Sequence, residues 1–245
     1  MSKPAIKCKT VTKLYGKSRV LDAVDITVPE HSFYGLVGIN GSGKSTLIKS
    51  ILDLISIDAG TIELSGLSHR AVMARSQVAY LPDRFSPPAY LRCKDFIQYM
   101  LELHASRHSS DEIHAMLDAL ELDRKTMESS VGSLSKGMTQ KLGIACCLLS
   151  GKSLLILDEP MSGLDPKARV LFKRQLFRLK GLGVTLFFSS HVLADVDELA
   201  DNMAVLHNSR IQYQGTPAQF KQTYEGGSLE DAYISCIDSV ERPHV

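Results

Sequence analysis

Eight residues in the first fifth of the chain have the types and spacing of a phosphate-binding loop. Residues 38–45 read GINGSGKS, which fits the pattern G-x-x-x-x-G-K-[ST], with strand-like residues before them and helix-like residues after them. Glycines let backbone N–H groups face an anion, and a helix beginning near Lys44 adds its positive end. The lysine adds a charge at the β- and γ-phosphates, and the Ser45 hydroxyl can bind Mg²⁺. These residues predict a nucleoside triphosphate site formed by Gly38, Ile39, Asn40, Gly41, Ser42, Gly43, Lys44, Ser45 and Thr46.

A pair of carboxylates follows the apolar run LLIL, at Asp158 and Glu159. If this run is a strand that ends at the phosphate site, Asp158 reaches the metal and Glu159 reaches the attacking water. An ordinary acidic turn after a buried strand explains the two residues equally well. No N-K-x-D motif for reading guanine occurs in the sequence, which disfavours a GTPase.

The elements that must position these residues alternate between strand and helix. Short β-rich segments fill the first third, and the pattern is helical from about Lys94 to Leu122. It then predicts a helix over residues 166–179, a strand at VTLFFS and a helix from about His191. This alternation favours an α/β fold with a parallel sheet. The proline-rich segment PDRFSPPAY marks the entry to a helical insertion at about residues 86–149.

The remaining motifs resemble those of the ABC-type ATPases, in that family's order and at its spacings. LSKGM, followed by Gln140 and Lys141, is similar to the signature segment, and SGLD at residues 162–165 is similar to the D-loop. His191 resembles the switch histidine, and Tyr15 the aromatic residue that stacks on adenine. The resemblance covers about residues 4–222. Together with the phosphate loop, this order of motifs is specific, although each of the smaller motifs alone is not.

The family resemblance implies a fold and a domain organisation. The fold is a P-loop NTPase, with a RecA-like α/β core, an antiparallel β subdomain and an inserted α-helical subdomain. We expect one ATPase domain at residues 1–225, with its core at 1–85 and 150–225, its insertion at 86–149, and a short tail at 226–245.

The resemblance also implies roles for individual residues. Two subunits would meet head to tail, with ATP on the phosphate loop of one and the signature segment of the other. Glu159 would be the general base or water-orienting carboxylate, His191 would hold the γ-phosphate, and Asp165 would communicate across the dimer. Asp158 and Ser45 would bind Mg²⁺. The residues that would contact the partner's ATP are Leu134, Ser135, Lys136, Gly137 and Met138. The residues themselves support a second anion site, since Ser135 lies at an expected helix start beside a glycine.

Two positions depart from the family pattern. Asp83 stands where the family commonly has glutamine, so its contact with Mg²⁺ is expected to be direct or water-mediated. Lys136 stands where the family commonly has glycine. Its charge is either directed at a phosphate or solvated at the surface.

Length, charge and composition exclude several classes of protein. A chain of 245 residues is close to the limit of about 250 for a single core, and a net charge of +1 argues against a nucleic-acid partner. No segment approaches the roughly 18 apolar residues of a membrane span, and the first ten residues lack the apolar stretch of a signal peptide. We therefore expect an intracellular, soluble protein. The five cysteines form no C-x-x-C pair, so we expect buried thiols instead of a disulfide framework or a zinc site.

Three functions remain open. The chain is an ATPase subunit of a membrane transporter, a soluble ABC-type ATPase acting on ribosomes or DNA, or an enzyme that phosphorylates a small substrate. The family resemblance favours the transporter, with separate transmembrane permease subunits, a second identical or different ATPase subunit, and a place on the cytoplasmic face of the membrane. It also favours an exporter over an importer. Phe85, Tyr90 and Leu91 either contact the permease or pack the helical insertion.

Overall fold

The computed structural model describes residues 3–241, which form two compact units. The first unit comprises residues up to 77 and from 185 onward, and the second comprises residues 78–184. Among residues 3–241, none of the helices combines the length and the hydropathy that a membrane crossing requires.

An antiparallel sheet occupies the N-terminal part of the first unit. Its strands are β1 (Ile6–Tyr15), β2 (Ser18–Val28), β4 (Ala59–Leu64) and β5 (Leu67–Ser68), in the order β2–β1–β4–β5. A two-residue turn joins β1 and β2, and its Gly16 has a φ of 60°, which glycine adopts without strain. Buried and exposed side chains alternate along β2, as expected for a sheet with one face on a core.

Three parallel strands form the centre of the other sheet in the first unit. β3 (Phe33–Val37) pairs in parallel with β8 (Thr185–Ser190) and with β9 (Asn202–His207), and β10 (Arg210–Gly215) runs antiparallel to β9. Every residue of β3 and β8 is buried, which explains the consecutive apolar residues in FYGLV and in the LFF of β8. The helices of this unit are α1 (Lys44–Ile51), α6 (Leu193–Leu199), α7 (Pro217–Thr223) and α8 (Leu229–Glu241).

The second unit is mainly helical. It contains one parallel strand pair, β6 (Val78–Leu81) with β7 (Leu154–Leu157), and the helices α2 (Cys93–Leu103), α3 (Ser110–Ala119), α4 (Lys136–Leu148) and α5 (Pro166–Gly181). Short 3₁₀ turns occur at Val72–Arg75 in the first unit and at Arg124–Glu128 and Val131–Ser133 in the second.

The helical pattern expected from about residue 94 to residue 122 forms two separate helices, α2 and α3. Ala105 has a φ of 53°, which ends the first helix, and Ser109 begins the second with a capping box completed by Glu112. The continuous apolar periodicity concealed this break. The helix expected from about His191 is α6, which begins at Leu193.

All five cysteines are buried and free, as the sequence predicted. Burial raises the pKa values of the Cys8 and Cys147 thiols to about 12, so neither is a reactive thiolate at neutral pH.

The three residues proposed for permease contact have different surroundings. The Phe85 ring packs on Phe96, with centroids 5.9 Å apart, and a Cβ on Gly143 of α4 would lie 2.8 Å from Phe85. Phe85 therefore packs the helical unit. Tyr90 is 83% exposed and remains available for a partner. Leu91 is half-buried.

Candidate functional site

The phosphate loop connects β3 to α1, as its sequence predicted. Gly41 and Gly43 have φ angles of 82° and 108°, which side chains with a Cβ rarely adopt. A Cβ on Gly43 would lie 2.9 Å from the carbonyl oxygen of Val20, and one on Gly38 would lie 2.5 Å from that of Leu206. The glycines therefore provide both the backbone conformation and the space of the loop.

Lys44 lies across this loop. Its buried ammonium Nζ donates hydrogen bonds to the carbonyl oxygens of Gly38 at 2.7 Å and Ile39 at 3.3 Å. The Ser42 hydroxyl oxygen is buried and has no hydrogen-bond partner among the described residues. An anion in the loop would give the ammonium and the hydroxyl a charged partner, so these residues fit a bound phosphate. Ser45 and Thr46 are partly exposed in the first turn of α1.

Tyr15 lies at the end of β1 and is 50% exposed. The ammonium of Lys13 lies 5.4 Å from the centre of its ring and forms an ion pair with Asp58 at 3.5 Å. The exposed ring can therefore stack on a planar base.

His191 follows the last residue of β8 and is exposed. Ser190 of β8 is paired with Val37 of β3, so His191 and Gly38 come directly after paired residues of neighbouring parallel strands. The structure therefore brings His191 and the start of the phosphate loop to the same edge of the sheet. Val192, which donates its N–H to the Ser190 hydroxyl at 2.9 Å, separates the histidine from α6.

The carboxylate pair follows β7 in the second unit. Asp158 is buried, and its backbone N–H donates to the carbonyl oxygen of Leu81 at 2.8 Å. Glu159 is partly exposed and has a φ of 49°. A non-glycine residue in the left-handed region carries backbone strain, which the surrounding structure must hold in place. The N–H of Ser162 donates to the Glu159 carbonyl oxygen at 3.0 Å and closes the turn.

Asp83 is exposed, two residues after β6. Burial raises the pKa of the neighbouring Tyr80 phenol to about 12, and the negative charges of Asp158 and Asp83 add to this shift. Both carboxylates therefore act on one side chain, and the structure brings Asp83 and Asp158 into the same neighbourhood.

The LSKGM segment leads into α4. Ser135 is the N-cap residue of this helix, as the sequence predicted, and it is exposed. Its hydroxyl oxygen accepts a hydrogen bond from the N–H of Met138 at 3.3 Å. The hydroxyl hydrogen can still be donated, for example to a phosphate oxygen. Leu134, Gly137 and Met138 are partly exposed, and Lys136 is exposed.

Asp165 is the N-cap residue of α5, a role that sequence reasoning missed. Its Oδ1 accepts a hydrogen bond from the N–H of Ala168 at 2.8 Å, and Pro166 follows at the first helical position. This hydrogen bond lowers the pKa of the carboxyl, so the carboxylate is ionised at neutral pH. The Asp-Pro pair was the signal that could have identified the cap.

Two further residues lie beside the predicted sites: sequence reasoning missed Tyr233, and it named Gln140 in the signature-like segment without giving it a role. Burial raises the pKa of the Tyr233 phenol in α8, and the backbone of Ile39 in the phosphate loop partly opposes this shift. The Tyr233 side chain therefore lies near the phosphate loop. Gln140 of α4 is buried and contacts the turn after Glu159. The apolar spacing of α8 is a weak signal for Tyr233, and the place of Gln140 directly after LSKGM was the signal for this glutamine.

Comparisons with known proteins agree with this arrangement. The family model described as ABC transporter matches residues 21–162. The chain is 33% identical over 216 residues to an uncharacterized ABC transporter ATP-binding protein, YhaQ of Bacillus subtilis, covering 87% of this chain and 72% of that protein. It is 35% identical over 219 residues to the Nod factor export ATP-binding protein I of Sinorhizobium fredii, covering 87% of this chain and 63% of that protein. A solved structure of an ATP-binding subunit of an ABC transporter superposes with a TM-score of 0.85 at 29% identity, over 95% of this chain and 99% of that one.

The chain belongs to the ABC transporter family, as an ATP-binding protein. Its fold is that of a P-loop NTPase with an antiparallel β subdomain and helical segments. Like the family, it binds ATP and hydrolyses it to power transport, which implies transmembrane partners and a second ATPase subunit.

Proposed function

We propose that this chain drives a transporter as one half of a head-to-tail dimer, with ATP between the phosphate loop of one subunit and the LSKGM segment of the other. The observation that supports this proposal is the exposed N-terminus of α4. Its cap Ser135 retains a hydroxyl hydrogen, and its first-turn N–H groups suit an anion. The loop before α1 is a separate anion site. A chain with two separate anion sites can bind its own nucleotide at one site and contact the partner's nucleotide with the other.

Mg²⁺ is proposed to bind at Ser45 and Asp158. Hydroxyl and carboxylate oxygens are ligands that this ion prefers, and it commonly takes only one or two carboxylates together with substrate phosphates. When bound, the ion neutralises charge on the β- and γ-phosphate oxygens. Asp83 and Asp158 both act on the Tyr80 phenol, which supports the proposal that Asp83 also contacts the ion, directly or through a water.

In the proposed reaction, Glu159 orients a water molecule and accepts its proton. The water oxygen bonds to the γ-phosphorus as the bond to the β–γ bridging oxygen breaks, so ADP and phosphate are released. Lys44 and the loop amides stabilise charge on the phosphates, and His191 holds the γ-phosphate. Tyr15 stacks on the adenine. Loss of the γ-phosphate removes the contact with the partner's LSKGM segment and opens the dimer.

We further infer that the direction of transport is export, through separate permease subunits, on the cytoplasmic face of the membrane. The relative from Sinorhizobium fredii is named as a Nod factor export protein, which supports this direction. The ATPase domain is assigned to residues 1–225, with its core at 1–85 and 150–225, the helical insertion at 86–149 and the tail at 226–245. Identifying the membrane protein that co-purifies with the chain from gently solubilised membranes tests the partner. Ribosomal or DNA-associated partners alone would contradict the transporter.

The shared nucleotide predicts the result of Ser135→Arg. A bulky side chain at the exposed N-terminus of α4 would occupy the place of the partner's triphosphate. We expect ATP-dependent dimerisation to be lost and ATP turnover to fall at least tenfold, with nucleotide affinity of the monomer unchanged. Gel filtration with light scattering, and titration with a fluorescent ATP analogue, measure the two effects.

The matched control is Ser109→Arg. Ser109 also caps a helix N-terminus, that of α3, so both variants lose a cap and gain an arginine. Losing either cap costs about 1 kcal/mol of unfolding free energy. The control should dimerise normally. Normal ATP-dependent dimerisation of Ser135→Arg would contradict the shared site.

A further inference from the structure

A buried amide links the helix of the LSKGM segment to the turn that carries Glu159. Gln140 of α4 is 6% exposed, and its Nε2 donates a hydrogen bond to the carbonyl oxygen of Pro160 at 3.0 Å. Pro160 directly follows Glu159 and is buried. A buried carbonyl that loses its donor pays the full cost of desolvation, so this hydrogen bond is costly to remove.

The turn that Gln140 supports is strained. Glu159 has a φ of 49°. Such a conformation persists only where the surroundings fix the residues on both sides. On one side, the N–H of Asp158 donates to the carbonyl oxygen of Leu81 at 2.8 Å. On the other side, the Pro160 carbonyl is fixed by Gln140.

Helix α4 also contacts this turn at a second position, Gly163. A Cβ on Gly137 would lie 3.2 Å from the carbonyl oxygen of Gly163, and one on Gly163 would lie 3.3 Å from the Cε of Lys136. The start of α4 therefore packs on Gly163, while Gln140 holds Pro160. Helix α4 therefore contacts both ends of the turn that follows Glu159, at Pro160 and at Gly163.

We propose that Gln140 is a positioning residue for hydrolysis, which fixes the backbone of Glu159 and links its carboxylate to the LSKGM segment of the same chain. This proposal rests on the role proposed above for Glu159. Because Ser135 begins the helix that carries Gln140, a force on the cap from the partner's nucleotide acts on the same rigid element that holds Pro160. Formation of the dimer and placement of the carboxylate are thereby coupled.

Gln140→Met tests the proposal, because methionine keeps the length and volume of the side chain but donates no hydrogen bond. We expect kcat for ATP to fall about tenfold or more, since small displacements of a catalytic group are costly. The KM for ATP, the affinity for a fluorescent ATP analogue and ATP-dependent dimerisation should stay within about twofold of wild type. Thr139→Val is the control, because it removes a hydrogen bond of 3.0 Å to Ser135 from the same helix without touching the turn. It should leave kcat unchanged.

A double-variant cycle separates this proposal from its premise. In a Glu159→Gln background, adding Gln140→Met should not lower the residual rate further, because both changes act through one carboxylate. If Gln140→Met lowers that residual rate another tenfold, or weakens ATP binding as much as turnover, Gln140 is a structural residue and the proposal is wrong. Wild-type kcat in Gln140→Met also overturns it. Turnover that survives Glu159→Gln alone would instead contradict the role of Glu159.

Discussion

Glu159→Gln is expected to lower ATP turnover by about 10²- to 10⁴-fold, the range that a general base contributes. Glutamine has the shape of glutamate but cannot accept a proton from water. The substitution leaves in place the Ser162 N–H and the Gln140 amide, which both bond to carbonyl oxygens of this turn, so the fold should stay intact. ATP affinity should be unchanged, and ATP-bound dimers should accumulate because the nucleotide that holds them is no longer hydrolysed. Phosphate release and gel filtration in ATP measure the two effects.

Glu128→Gln is the control for this variant. Glu128 is an exposed glutamate of the same unit, and its carboxylate pairs with the ammonium of Lys94 at 2.7 Å. Exposed ion pairs contribute about 0–1 kcal/mol to stability, so turnover by this control should match wild type. Undiminished hydrolysis in Glu159→Gln would show that Glu159 is not the base. Loss of ATP binding together with hydrolysis would indicate that Glu159 has a structural role instead.

The phosphate loop was predictable from sequence because its constraints are local. The left-handed φ angles of Gly41 and Gly43 need glycine, and the helix begins at Lys44 as its position in the motif predicted. The apolar runs within β3, β7 and β8 were equally clear, since strands of a parallel sheet are covered on both faces. The N-cap role of Ser135 followed from the same local chemistry.

What the sequence could not supply depends on contacts between distant segments. The break between α2 and α3 occurs at Ala105, a residue type that gives no warning of a left-handed φ. Gln140 was recognisable as part of a motif, but its partner Pro160 is 20 residues away, and nothing local predicts that pairing. The choice between an aromatic packed in the helical unit, Phe85, and an exposed one, Tyr90, likewise required the position of Phe96.

The strain at Glu159 was also invisible in the sequence, and it bears on how the proposed mechanism works. Glutamate has no intrinsic preference for a positive φ, so the surroundings must enforce it. The sequence identified the two carboxylates as a pair, whereas the structure gives them different environments. Asp158 is buried directly after β7. Glu159 follows it with a positive φ, which is not a strand conformation, and is partly exposed. The buried Asp158 suits the proposed role of a metal ligand, and the partly exposed Glu159 suits the proposed role of a group that contacts water.

Lys44→Ala is expected to weaken ATP binding about 100-fold, or about 2.7 kcal/mol, which lies within the range measured when one partner of a buried charge pair is removed. The ammonium lies inside the loop, on the carbonyl oxygens of Gly38 and Ile39, where we expect it to contact the β- and γ-phosphates. Alanine removes this charge and also the two hydrogen bonds that cross the loop. ADP and ATP titrations of the purified variant measure the loss, which should be larger for ATP because the γ-phosphate adds charge.

The matched control is Lys49→Ala in the last turn of α1, where the lysine is exposed. Both variants remove one positive charge from the same helix, so a general loss of electrostatic attraction would weaken ATP binding in both. A specific phosphate contact predicts a loss for Lys44→Ala alone, and ATP affinity equal to wild type in that variant would contradict the contact. The difference between the two affinities isolates the ammonium held inside the loop from the charge of the helix that carries it.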